Sequence, residues 1–148
     1  MIDRDAVRAE AENLYRTGQF LCSEAIVHVF NKVLGCPMPQ EVVKLASGFP
    51  VGMGNFETGG CTCGALSGGV MVLGMMKGRA NPGDEVPMDA LDGARELHDW
   101  FLAEKGSTCC RALIRTFEFG SPEHIDQCVR FTGDVAARLA DMLNDQEH

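Results

Sequence analysis

The chain of 148 residues is long enough for one domain with a substantial core and short for two. Its formal charge of −8, from 13 basic and 21 acidic residues, argues against nucleic acid or an anionic membrane surface as a partner, because either requires a basic patch. The longest weakly polar stretch, Gly64 to Met76, falls short of the roughly 20 apolar residues that cross a bilayer.

The periodicity of apolar residues predicts helices along the whole chain and no convincing strand. Five main helices are expected, with a short helix over Pro39–Ser47 and a single helical turn over Cys110–Ile114 between them. The five span Asp3–Thr17, Cys22–Leu34, Cys63–Lys77, Asp89–Lys105 and a last segment that starts at Ser121 and Pro122. Residues 48–60 are rich in glycine and predict a long loop, a feature that is often functional in small domains. The fold class is therefore all-α, a single helical domain over residues 1–148.

The segment Cys63–Lys77 is hydrophobic nearly all round, which predicts a helix at the centre of the core. Each glycine inside it costs about 1 kcal/mol relative to alanine. We expect the close approach of neighbouring helices, or of a ligand, to offset that cost. Gly64 and Gly68, four residues apart on one face, are the candidate cofactor-binding glycines.

Seven cysteines are the most informative feature of the composition. The first residues do not show the basic and then apolar pattern of a signal peptide, so a cytoplasmic location is expected. In a reducing compartment, many thiols indicate metal binding or redox chemistry more often than disulfides. For any single cysteine, simple packing in the core is the alternative.

Four of the cysteines fall near predicted helix starts, namely Cys22, Cys63, Cys110 and Cys128. A helix N-terminus carries unpaired N–H groups and a partial positive charge, which favour a thiolate with a lowered pKa. Thiolate is the form that binds metal or attacks sulfur. These four are far apart in sequence, unlike the clustered cysteines of zinc ribbons or bacterial ferredoxins, so only tertiary folding could assemble them.

The other candidates have less specific interpretations. Cys36 precedes a proline at a helix end and is expected to pack. Cys61 could add a ligand or act as a resolving thiol, or lie in the loop without a special role. Cys109 adjoins Cys110, and neighbours on a helix point about 100° apart, so one of the two is expected to face a shared site. His124 and Cys128, four residues apart on one helix, have a chelating spacing, and a partly exposed histidine at the helix start without a metal role is the alternative for His124.

The sequence resembles a family of small redox-active proteins named for the cysteine pattern C…GCAxxG…C…C. The matching segments are Cys22 in LYRTGQFLCSEAI, the motif Cys63-Gly64-Ala65-Leu66-Ser67-Gly68, Cys110 in KGSTCCRAL, Cys128 in DQCVRFTGDVAARLA, and the stretches ASGFPVGMG and GGVMVLGM. The likeness covers nearly the whole chain. It implies a redox or metal-linked role for the four cysteines but no substrate, and leaves open whether Cys61 and Cys109 supplement them.

Related segments in haem- and iron–sulfur-containing electron carriers favour an iron–sulfur centre here, while the lack of a C-x-x-C-H motif excludes c-type haem. Three hypotheses follow. The first is an iron–sulfur or other iron or zinc centre for electron transfer, served by a redox protein partner. The second is reversible thiol–disulfide chemistry, with Cys61 and Cys63 or Cys63 and Cys110 as the pair. The third is a structural zinc site or packing module. Apolar and small-residue faces permit a homodimer.

Overall fold

Capping residues mark where several of the helices begin and end. A computed structural model describes residues 1–147. Asp3 caps the first helix, since its carboxylate accepts hydrogen bonds from the N–H groups of Asp5 and Ala6. Ser121 caps the last helix in the same way through the N–H of His124, and Gly106 ends the fifth with φ +81°. These signals fix the lengths of the long helices.

The prediction of an all-α fold is confirmed, since residues 1–147 contain seven α-helices, one 3-10 helix and no strand. The elements are α1 (Arg4–Arg16), α2 (Cys22–Val33), the 3-10 helix (Gln40–Ala46), α3 (Pro50–Gly54), α4 (Gly64–Lys77), α5 (Met88–Lys105), α6 (Cys110–Ile114) and α7 (Pro122–Asp145). The helix count exceeds the prediction because α3 lies inside the predicted loop. The expected short helix after Pro39 is a 3-10 helix.

The core is formed by α4, α2, α5 and α7. The long α7 packs along α1, while α4 lies between α2 and α5. Phe30, Leu73, Leu97 and Leu139 are completely buried, and each such side chain contributes about 1.5–3 kcal/mol through apolar burial. Most of the buried apolar residues belong to one cluster. The single domain expected from chain length stays a prediction.

The glycines of α4 allow its neighbours to approach closely. A Cβ at Gly68 would lie 2.9 Å from the backbone of Ser23 on α2. A Cβ at Gly69 would lie 2.6 Å from the Leu97 side chain on α5. The expected close approach of neighbouring helices is thereby confirmed for Gly68 and Gly69, whereas nothing lies within 4 Å of a Cβ at Gly74. Gly68 serves the contact with α2 and is not among the residues that line the candidate site described below.

The glycine-rich segment before α4 is ordered around a left-handed turn. Val51, Gly52 and Met53 in α3 have φ values of +58°, +61° and +67°. For the two non-glycine residues this conformation costs about 1–3 kcal/mol each. A Cβ at Gly52 would lie 2.3 Å from the carbonyl carbon of Gly60, whose N–H donates to the Val51 carbonyl. The segment therefore folds back on itself, and the prediction of an irregular loop was incomplete.

No helix within residues 1–147 combines the length and the apolar character that a membrane span requires.

Candidate functional site: a cavity lined by four cysteines

A cavity of about 400 Å³ opens at the end of the helix bundle where α2, α4 and α6 begin. Its walls are mostly apolar, with Phe56, Leu113, Ile114, Phe119 and Phe131 among them. Four of the five free cysteines line it, namely Cys22, Cys63, Cys110 and Cys128. The structure thus brings together the four cysteines that the sequence singled out.

The positions of these cysteines follow from the local folding of four different helices. Cys22 is the first residue of α2, Cys110 is the first of α6, and Cys63 is the residue before α4. Cys128 lies in the second turn of α7. Gly64 allows the close approach of two of these elements, since a Cβ there would lie 2.4 Å from the Sγ of Cys22. Gly64 also lines the cavity, which keeps it as a candidate cofactor-binding residue.

Burial, rather than the helix N-termini, dominates the acidity of these thiols. Burial raises the pKa of the Cys63 thiol and outweighs the backbone N–H groups of Ala65 and Leu66, which act in the opposite direction. Burial and the neighbouring thiols raise the pKa of Cys22 well above its ordinary value. Burial raises the pKa of Cys110 to about 12 and that of Cys128 to about 11. The expectation of lowered pKa values was wrong. Burial takes the thiolate out of water, and this costs more free energy than the field of the helix N-terminus returns.

Two polar groups near the thiols were missed by sequence reasoning. The Tyr15 hydroxyl on α1 lowers the pKa of Cys128 and so partly offsets the effect of burial on that thiol. The ammonium of Lys105, at the end of α5, lowers the pKa of Cys63. In the sequence Tyr15 and Lys105 are ordinary members of amphipathic helices, so no local pattern could have marked them.

His124 lines the cavity, but its hydrogen bonding does not suit a metal ligand. Its Nδ1 accepts a hydrogen bond from the N–H of Gly120 over 2.9 Å. In the neutral ring Nε2 then carries the proton and has no lone pair to give. Burial lowers the pKa of His124, which favours this neutral form. The predicted ligand role of His124 is therefore corrected to that of an N–H donor.

The remaining three cysteines do not line the cavity. Cys61 and Cys109 form a disulfide, with a Cα–Cα distance of 4.3 Å. Neither pairing considered from the sequence is present, since Cys63 and Cys110 are both free. Of the neighbours Cys109 and Cys110, only Cys110 lines the cavity. Cys36 is exposed, so its predicted packing role was wrong: it lies beyond the end of α2 rather than on the buried face of that helix.

The four thiols that line the cavity do not form a site for a single metal ion. Tetrahedral coordination of one zinc ion needs sulfur atoms about 3.8 Å apart, given bonds of about 2.3 Å. Among residues 1–147, no three histidine, cysteine, aspartate or glutamate side chains are grouped so that they could hold one ion. The arrangement therefore offers four separate sulfur donors around a shared space.

The comparisons with known proteins agree with this grouping of cysteines. The family model described as "Putative redox-active protein (C_GCAxxG_C_C)" matches residues 20–142. The chain belongs to this family. The four cavity cysteines follow the order of the family pattern, with the central motif here reading Cys63-Gly64-Ala65. Neither the search of curated proteins nor the search of solved structures found a match.

Proposed function

We propose that this protein is an electron carrier whose four cavity cysteines bind an iron–sulfur cluster. The observation that carries the proposal is the convergence of Cys22, Cys63, Cys110 and Cys128, all free, on one cavity from four helices. Membership of a family described as redox-active supports it. When bound, such a cluster supplies reversible one-electron transfer.

The donor set fits a cluster with several iron atoms better than it fits one ion. In iron–sulfur clusters each iron is held by its own cysteines, so the protein sulfurs surround the inorganic core at a distance from one another. A cavity of about 400 Å³ between four thiols has that form. The raised pKa values of the thiols imply that binding releases protons, which makes affinity rise with pH.

Neighbouring residues would tune the potential of the centre. The N–H groups of Ala65 and Leu66 lower the pKa of the Cys63 thiol, and the Tyr15 hydroxyl lowers that of Cys128, which is the direction expected for donors that face the sulfurs. Lys105 adds positive charge near Cys63. Hydrogen bonds to sulfur and nearby cations stabilise the more negative, reduced state and so raise the reduction potential. The chain's formal charge of −8 suits a redox partner with a basic docking surface.

The test is reconstitution of the anaerobically purified protein with ferrous iron and sulfide. Iron and acid-labile sulfide per chain and the visible absorption spectrum are measured. We expect a coloured protein with bound iron, and loss of most of that iron in each of Cys22→Ser, Cys63→Ser, Cys110→Ser and Cys128→Ser.

Cys36→Ser is the matched control, because Cys36 is free but exposed and lies outside the cavity. It should keep the iron and sulfide content of the parent protein. A parent protein that stays colourless and free of iron would overturn the proposal. An equal loss of iron in Cys36→Ser would also overturn it, since the binding would then not belong to the cavity.

A further inference from the structure

The disulfide joins the two chain segments that carry two of the cavity thiols. Cys61 lies two residues before Cys63, and Cys109 lies directly before Cys110. Cys61 is exposed and Cys109 is half-buried, whereas Cys63 and Cys110 are buried. The disulfide at the surface therefore links the same two segments that carry the buried thiols of Cys63 and Cys110.

Three hydrogen bonds reinforce this junction. The N–H of Cys63 donates to the Thr108 carbonyl over 2.7 Å. The N–H of Arg111 donates to the Gly60 carbonyl over 2.9 Å, and its Nε donates to that of Gly59 over 3.1 Å. All three lie within a few residues of the disulfide. The junction is thus a single patch of polar contacts with one covalent link.

We call residues 50–62 the loop wall, because Val51 and Phe56 from this segment close one side of the cavity. The loop wall buries little apolar surface of its own. Met53 and Phe56 are 65% and 61% exposed. Segments with few buried apolar contacts open locally at a lower free energy than helices of the core. The disulfide is the strongest restraint between this wall and α6.

We propose that Cys61 and Cys109 form a reversible redox site whose substrate is a dithiol, and that its reduction loosens the loop wall around Cys63 and Cys110. A thiolate of the dithiol attacks the exposed sulfur of Cys61, the bond to Cys109 breaks, and the mixed disulfide is resolved by the second thiol of the dithiol. Two electrons and two protons pass to the protein, giving two cysteine thiols, while the dithiol becomes a disulfide. This site lies outside the proposed cluster ligands and is tested without metal.

The experiment compares alkylation of individual cysteines in the metal-free protein before and after anaerobic treatment with dithiothreitol as the dithiol. Peptide mass spectrometry gives the labelling rate at each cysteine. We expect Cys61 and Cys109 to resist labelling until reduced. We then expect the rates at Cys63 and Cys110 to rise about tenfold or more, because the restraint on local opening is removed.

Cys36, Cys22 and Cys128 serve as internal references. The rate at the exposed Cys36 should not change, and those at Cys22 and Cys128, on the packed helices α2 and α7, should change far less than those at Cys63 and Cys110. The double variant Cys61→Ser with Cys109→Ser should show the fast rates without reductant. Equal rates before and after reduction, or a disulfide that the dithiol leaves intact in the folded protein, would overturn the proposal. Circular dichroism of both samples checks that the helices remain folded.

Discussion

The cavity has two walls that are held in different ways. Cys22 and Cys128 lie on α2 and α7, whose other faces pack into the core through completely buried side chains such as Phe30 and Leu139. Cys63 and Cys110 lie where the loop wall meets the short α6. This junction is stabilised by three hydrogen bonds, by close contacts of glycines and by the Cys61–Cys109 disulfide.

One side of the cavity is therefore held rigidly by the core, and the other side can move when a few specific bonds change. Helix packing spreads the cost of any local movement over many buried contacts, so α2 and α7 fix their thiols firmly. The loop wall has few buried contacts, and its position depends on a few specific bonds. We therefore expect substitutions in the packed helices to change global stability, and substitutions at the loop wall to change the site.

The largest loss of stability is expected from Phe30→Ala. Phe30 is completely buried on α2, and removal of such a ring typically costs about 3–5 kcal/mol. The matched control is Phe56→Ala on the loop wall, where the same change at a ring that is 61% exposed should cost less than about 1 kcal/mol. Denaturant unfolding measures both. Similar losses in the two variants would show that the loop wall is as firmly packed as the helices.

Gly64→Ala should damage the site more than the fold. The new Cβ would lie 2.4 Å from the Cys22 sulfur and 3.1 Å from the Pro50 backbone, which forces a displacement worth about 1–3 kcal/mol. Loss of bound iron should accompany it under the reconstitution conditions above. Gly74→Ala in the same helix is the control, because nothing lies within 4 Å of its Cβ position. That variant should gain up to about 1 kcal/mol from helix propensity and keep its iron.

The ion pairs that join α7 to α1 and α5 should make the stability of the fold depend on pH. Asp134 on α7 pairs with Arg8 on α1 and with Lys105 on α5. Burial alone would raise the pKa of Asp134, but the two cations together hold it below its ordinary value of 3.8. A carboxyl group with a lowered folded pKa stabilises the fold above the unfolded pKa, and this contribution disappears as the pH falls through the folded pKa.

Asp134→Asn should therefore cost about 1–2 kcal/mol near pH 7. The difference from the parent protein should shrink progressively below pH 3.8. Thermal unfolding across this range measures it. Asp126→Asn is the control, since Asp126 pairs with Arg16 at an exposed position and should change stability little at any pH. A difference for Asp134→Asn that grows at low pH would contradict the account.

The smallest expected effect on stability is that of Arg111→Met, which keeps most of the side-chain length and removes the hydrogen bond from Nε to the Gly59 carbonyl. The loss in global stability should be about 0.5–1 kcal/mol. Hydrogen exchange should nevertheless accelerate at the N–H of Gly60, which donates to Val51 within the loop wall. Exchange that accelerates equally in α2 would contradict the distinction between the two walls.

The sequence predicts much of the fold and the membership of the site, but little of its geometry. The apolar character of α4 and the position of cysteines near helix starts are local signals, and these signals identified Cys22, Cys63, Cys110 and Cys128. The Cys61–Cys109 pairing could not be deduced, because connectivity depends on which segments tertiary folding brings together. The left-handed turn at Val51 and Met53 runs against the backbone preferences of those residues, so only the surrounding contacts can specify it.

The acidity of the thiols was misjudged for a related reason. The field of a helix N-terminus is a local property, whereas burial depends on every element that closes the cavity. Tyr15 and Lys105 reach Cys128 and Cys63 from helices distant in the chain, so their influence was also invisible in the sequence.

X-ray absorption at the iron edge of the reconstituted protein shows whether the four cavity cysteines together bind one iron–sulfur cluster. We expect a first shell of sulfur atoms around iron and a second shell that contains iron. In a protein with serine at position 22, 63, 110 or 128, that spectrum should be lost together with most of the iron. A first shell of oxygen and nitrogen without an iron neighbour would contradict the claim.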